Sequence, residues 1–198
     1  AVDNAIATAL SNAIGSLFGN SDVLQAISTA VHDVVAGIVD SSAIQDLVGE
    51  EVSDFLTAAL GSYPGGAQIA DAVGTAITNL LANSAVSDEL GTLVGSVLSG
   101  FFGQPGVVSA LSSAVQLATL TILNGGDPSE VIGVMLQLLQ ANTAIQTALS
   151  GLAGSVVNSV VTDTALISAL ASTATSLITE LAGNPAVQSL ISGLLGPT

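Results

Sequence analysis

Apolar residues in this chain recur at spacings of three and four. One run reads Ile44, Leu47, Val48, Val52, Phe55, Leu56; another Val86, Leu90, Leu93, Val94, Val97, Leu98, Phe101; a third Ile145, Leu149, Leu152, Val156, Val160. That period belongs to one face of an α-helix, and strand-type alternation is absent. The runs open at Ser21, Ser42, Tyr63, Ser84 and Pro105, each 21 positions after the last. Asp127 opens the next one 22 positions on, and after a short unit the series resumes at Asn142, Asp163 and Asn184, again at 21. Counted from Asp3, the chain holds about ten units. The flanks match too: Asn142-Thr143-Ala144-Ile145, Asp163-Thr164-Ala165-Leu166 and Asn184-Pro185-Ala186-Val187 share one pattern, with Ser42-Ala43-Ile44-Gln45 and Ser84-Ala85-Val86-Ser87 close to it. A fixed period with matching flanks marks tandem duplication of one helical unit.

The boundaries carry helix-start chemistry. Small polar side chains accept backbone N–H groups at an N-cap, and proline is preorganised for the first helical position. Asp127-Pro128-Ser129-Glu130 supplies cap, proline and acid together, while Thr143-Ala144-Ile145-Gln146 and Ser42-Ala43-Ile44-Gln45 have the form of capping boxes. Asn184-Pro185 and Gln104-Pro105 place proline just inside a start. Gly19-Asn20, Gly103, Gly125-Gly126 and Gly183 are expected to stop helices in the left-handed conformation. Helices of about 15 to 18 residues are marginal alone, so packing must hold them. Small residues four apart, as in Gly91, Gly95, Ser99 and in Gly151, Ser155, allow close helix approach. Short connections make neighbours antiparallel. The expected fold is therefore all-α: about ten short amphipathic helices in an antiparallel α-solenoid or multi-helix bundle. The longest break, Gly61 to Gly66, divides acidic N-terminal helices (1–61) from near-neutral apolar repeats (62–198), within one continuous domain.

Charge changes the picture more than length does. The 198 residues contain no lysine or arginine, fifteen carboxylates and one histidine, for a formal charge of −15. Only 8% of residues are charged, against about 25% in ordinary globular proteins, and mean hydropathy is +0.78. So thin a polar coat implies that the apolar surface is buried against other copies or at a lipid interface. Nucleic acid is excluded as a partner, since phosphate binding rests on Lys and Arg, and electrostatic attachment to anionic lipid fails for the same reason. Without these cations no surface salt bridge is expected. A conventional single-pass span is not expected either: the nearest candidate, Val107 to Leu123, is interrupted by Ser109, Ser112, Ser113, Gln116, Thr119 and Thr121. Ala1-Val2-Asp3 has no basic leader and reads as the start of a mature exported chain.

Candidate chemistry is sparse. Asp46, Glu50 and Asp54 form a ladder along one helix face beside Glu51, which reads as a solvated face or, less directly, as a cation site. His32 is the sole imidazole; Asp33 follows it, and adjacent helix residues are not expected to face each other. With no cysteine there is no disulfide or thiolate site, and one histidine cannot build a zinc centre. No nucleophile elbow or phosphate loop occurs, so no catalytic residue and no cofactor is assigned.

Asn184-Pro185-Ala186-Val187-Gln188-Ser189-Leu190-Ile191, Asn83-Ser84-Ala85-Val86 and Asp163-Thr164-Ala165-Leu166 resemble, in diction, the Ala/Val/Leu/Gly-rich secreted helical proteins of mycobacteria and their mycolic-acid-bearing relatives. That resemblance implies an exported envelope protein. A rival resemblance is to helical repeat units of some spider silk proteins, against which the missing Gly/Ser linkers and missing Arg count. The expected function is a non-enzymatic secreted or cell-envelope protein that buries amphipathic faces in lipid, at an outer-membrane surface, or in a homo-oligomer, as a lipid-associated or channel-like assembly. The alternative is a structural repeat module that polymerises into a fibre or surface layer.

Overall fold

A computed structural model describes residues 2–189, without the side chains of 128–130. It consists of α1 (Val2–Phe18), α2 (Ser21–Val39), α3 (Ser42–Leu60), α4 (Gly66–Leu81), α5 (Ser84–Phe102), α6 (Pro105–Leu123), α7 (Pro128–Ala141), α8 (Thr143–Thr162) and α9 (Thr164–Gly183). Residues 185–189 open a further helical segment, and no strand occurs among the described residues. The protein is an all-α, multi-helix chain.

The period of 21 has a simple origin. α2, α3, α5 and α6 are each 19 residues long, and α2 and α5 are followed by a two-residue junction, whereas α8 and α9 are each 20 residues long with one junction residue. That residue is both the last of one turn and the cap of the next helix. Asp163 sits in extended conformation (φ −73°, ψ 118°), and its carboxylate accepts from the N–H groups of Ala165 and Leu166, both at 2.9 Å. Asn142 accepts from Ala144 (2.9 Å) and Ile145 (3.2 Å), and Asn184 from Ala186 (2.9 Å) and Val187 (3.4 Å).

Two expectations from the sequence are corrected here. The cap stands one residue earlier than the proposed capping boxes: it is Asn142 rather than Thr143, and Ser41 rather than Ser42. The glutamine then lies too far into the helix to close a box. It reaches backwards instead, donating from Nε2 to a carbonyl six residues upstream in the preceding helix. Gln45 bonds Val39 O (2.8 Å), Gln146 bonds Gln140 O (2.8 Å) and Gln188 bonds Ala182 O (2.6 Å). One side chain thus occupies a C-terminal carbonyl that the previous helix leaves without an intrahelical partner. Because an extended cap already turns the chain, left-handed stops are largely unnecessary. Among the described residues only Gly65 and Gly125 have positive φ; Gly19, Gly103, Gly126 and Gly183 do not. Replacing Asn142 by alanine removes the one oxygen that accepts from two N–H groups and is expected to cost about 1 kcal/mol in denaturant unfolding, with the m-value unchanged.

Contacts divide the described residues into two units, each discontinuous in sequence: residues 2–31 with 92–159, and residues 32–91 with 160–189, so residue 61 lies inside the second. The divisions fall within α2, α5 and α8. In the first unit α6 packs on α1 and α7. Its core gathers Val107, Ala110, Ile145 and Ala148, with Phe101, Leu111 and Leu139 around them. Phe18 stacks on Phe102 with ring centroids 5.2 Å apart. In the second unit α4 packs on α3 and α9, and Val86, Leu166 and Ala169 form a core bordered by Leu80, Leu90 and Val160. The pairings α1 with α6 and α4 with α9 join helices distant in sequence, as in a bundle; a solenoid repeat contacts only its neighbours.

Small residues set the helix separations. A Cβ on Gly74 would lie 2.6 Å from the Gly49 carbonyl, and one on Gly49 would lie 2.8 Å from the Gly74 carbonyl, so α3 and α4 meet backbone to backbone. α2 and α5 cross in the same manner: a Cβ on Gly95 would lie 2.5 Å from Ser28 O in the first unit, and one on Gly91 would lie 2.8 Å from His32 O in the second. The small-residue stripe read from Gly91 and Gly95 is thus a helix crossing.

Candidate functional site

Residue size is distributed in reverse of the usual order. The buried apolar positions are mostly alanine, among them Ala7, Ala70, Ala110, Ala114 and Ala148. Although Leu93, Val107, Ile145 and Leu166 are buried with them, many large aliphatic and aromatic side chains face outward: Phe55 is 73% exposed, Ile178 66%, Val157 62% and Ile132 61%. On α7, Ile132, Val134, Leu136 and Leu138 are all exposed, and since they alternate along a helix they spread over more than one face. Alanine inside and leucine outside is the arrangement of helices whose backbones pack closely in apolar surroundings.

The hydroxyl groups fit the same surroundings. Thr119 donates to Val115 O (2.8 Å), Thr121 to Leu117 O (2.9 Å), Ser155 to Gly151 O (3.0 Å), Thr175 to Ala171 O (2.8 Å) and Thr179 to Thr175 O (2.8 Å). Each bond returns to the carbonyl one turn back, which satisfies the hydroxyl without water. This is why polar interruptions do not disqualify α6. Four helices, Ser21–Val39, Pro105–Leu123, Thr143–Thr162 and Thr164–Gly183, are long and apolar enough to cross a membrane. Val107–Leu123, which its Ser, Thr and Gln residues mark as no conventional span, falls within one of these helices. Two of those, Thr119 and Thr121, bond to the helix itself.

His32 was singled out in the sequence as an isolated imidazole, and the structure gives it two partners. Nδ1 lies 3.1 Å from Asp33 Oδ1 and Nε2 lies 3.0 Å from Asp88 Oδ1. The expectation that adjacent helix residues stay apart fails at this pair, because an imidazole and a carboxylate at partly open positions reach across one step of the helix. The expectation that no surface salt bridge forms fails with it: histidine supplies the cation that Lys and Arg do not. Both carboxylates accept, and a neutral imidazole has only one N–H to give, so the two contacts together require the imidazolium. The hydrogen bond donated to Asp33, then that donated to Asp88, raises the pKa above the ordinary 6.5.

A raised histidine pKa contributes stability that is complete below the unfolded value and is lost as pH rises through the folded one. The His32 imidazole is therefore expected to titrate above pH 6.5 by NMR. In Asp88→Asn the midpoint should move back toward that value. A midpoint below 6.5 in the wild type would contradict the bracketing.

Glu50 and Asp54 of the predicted ladder line a groove of about 230 Å³ with Asp71 of α4 and the Ser53, Thr75 and Thr78 hydroxyls; Asp46 is outside it. Among the described residues no group of three or more His, Asp or Glu is placed to hold a metal ion. Elsewhere in the second unit Glu89 hydrogen-bonds Asp163, whose negative charge, with burial, raises the Glu89 pKa. Sequence inspection missed Asp71, Asp88 and the Glu89–Asp163 pair, since each partner lies on a different helix.

A cavity of about 480 Å³ lies between α5 and α8 in the first unit. Ser96, Gly100, Gln104, Gly151 and Ser155 line it, with Phe101 and Leu152, and it contains no acid or imidazole. No known protein family, curated protein or solved structure matches the chain.

Proposed function

We propose that this chain is a non-enzymatic helical protein of the cell envelope or the secreted fraction, whose apolar exterior is covered by lipid and by further copies of itself. The observation that carries this reading is the reversal of residue size, with alanine at the helix contacts and Phe55, Ile132, Val157 and Ile178 turned outward. The inward hydrogen bonding of Thr and Ser hydroxyls supports it, because it lowers the cost of placing those helices in an apolar phase. The engagement of both His32 nitrogens by carboxylates supports the non-enzymatic part, since the chain's one imidazole is not aimed at any hydroxyl.

Lipid contact here rests on buried area alone, at about 25 cal/mol per Å². With no cation in the chain other than the His32 imidazolium, it should be indifferent to anionic headgroups or repelled by them. The test is flotation with phosphatidylcholine vesicles and with vesicles containing phosphatidylglycerol. The protein should float with the neutral vesicles at least as well as with the anionic ones, and persist at high salt. Failure to float with either would overturn the lipid reading. Fibres that grow reversibly as pH falls toward about 4, where carboxylates discharge, would favour the structural-module alternative.

A further inference from the structure

The second unit contains one cavity unlike the others. It measures about 190 Å³ and no polar atom lines it. Its walls are Leu80 and Leu81 from the end of α4, Val86 and Leu90 from α5, Val160 from the end of α8 and Leu166 from α9, and half-exposed Leu170 stands at the rim. Apolar cavities of about 150 Å³ stay dry and accept guests the size of benzene, because water inside would forfeit its hydrogen bonds. This one is somewhat larger and opens at one side. Val86 and Leu166 are themselves well buried, so the inner wall of this space belongs to the packed core while its other side is open.

Charge decides what kind of chain fits. Glu89 precedes Leu90, and Asp163 caps the helix that carries Leu166 and Leu170. The Glu89 and Asp163 carboxyl groups are hydrogen-bonded to each other. No lysine or arginine exists in the sequence, and the single imidazole is held between Asp33 and Asp88. A fatty-acid carboxylate would meet negative charge and no counter-ion. From the aliphatic lining and this charge pattern together, we infer that the cavity bounded by Leu80, Leu90, Val160 and Leu166 is a binding site for the end of an uncharged alkyl chain, such as a neutral lipid, wax or alcohol, and that it rejects the corresponding carboxylate. The site is internal to the second unit and does not depend on what covers the exterior, so this inference and the proposed function fail separately.

The test uses the intact chain with labelled Leu and Val methyl groups and two probes of equal length, hexan-1-ol and hexanoate at pH 7. Hexan-1-ol should shift the methyl signals of Leu80, Leu90, Val160 and Leu166 saturably, and hexanoate should bind at least tenfold more weakly. Leu170→Phe, which fills the rim, should weaken hexan-1-ol binding at least tenfold with helicity unchanged; Leu81→Phe is the second filling variant. Equal binding of the two probes, or no saturable shift at these methyls in the wild type, overturns the inference whatever the variants do. So does undiminished hexan-1-ol binding in a filling variant that retains its helicity.

Discussion

Gly74→Leu is expected to destabilise the second unit by about 3 kcal/mol or more, at or beyond the upper end of ordinary overpacking costs. The added side chain has nowhere to go. Its Cβ alone would stand 2.6 Å from the Gly49 carbonyl and 2.8 Å from Ser53 Cβ, and a backbone carbonyl cannot rotate aside as a flexible side chain can. Relief requires α3 and α4 to separate, which strips contact from the face of α4 that carries Gly74 and, one turn earlier, the buried Ala70. A domain stable by about 5–15 kcal/mol loses a large fraction of its margin. The control has the same chemistry and the opposite sign. Nothing lies within 4 Å of a Cβ on Gly154, inside α8, so Gly154→Ala should stabilise the chain by about 0.5–1 kcal/mol through helix propensity. Urea unfolding followed by circular dichroism measures both. Equal tolerance at the two positions would mean that α3 and α4 do not meet through these glycines.

The second large effect concerns the exterior. Replacing Ile132, Val134, Leu136 and Leu138 together by glutamine should leave the helical signal nearly unchanged, since all four are exposed on α7 and glutamine is a good helix former. Its effect on association should be large. Each half-exposed side chain that enters an apolar phase contributes about 1 kcal/mol, so the four together contribute about 4 kcal/mol, or roughly a thousandfold in partitioning onto neutral vesicles. A quadruple variant that floats as well as the wild type would show that α7 is not part of the covered surface.

Local chemistry was legible in the sequence and long-range chemistry was not. The helical period and the starts at Asp163 and Asn184 could be read directly, because an N-cap and the N–H groups it accepts lie within three residues of each other. The role of Gln45, Gln146 and Gln188 could not, because their acceptors belong to the preceding helix; the repeating glutamine four places after Ser41, Asn142 and Asn184 was the available signal. The left-handed glycines were over-assigned for a related reason. Gly ends helices where the chain must reverse locally, and here an extended residue makes that turn. Pairings such as His32 with Asp88, 56 positions apart, or Glu50 and Asp54 with Asp71, depend on which helices pack, and nearly identical repeats give each helix many equivalent partners. The same near-identity left open the choice between solenoid and bundle, which the contacts of α1 with α6 and α4 with α9 decide. What the sequence conveyed about function came from composition: a chain this apolar, with a single basic side chain, is expected to cover its surface.

Native mass spectrometry of the protein purified without detergent tests that claim most directly, since it reads copy number and bound lipid in one spectrum. Particles of several chains, chains carrying neutral lipid, or both are expected. A single bare chain at the 19.2 kDa mass, stable in solution at micromolar concentration with its leucines and phenylalanines uncovered, would contradict it.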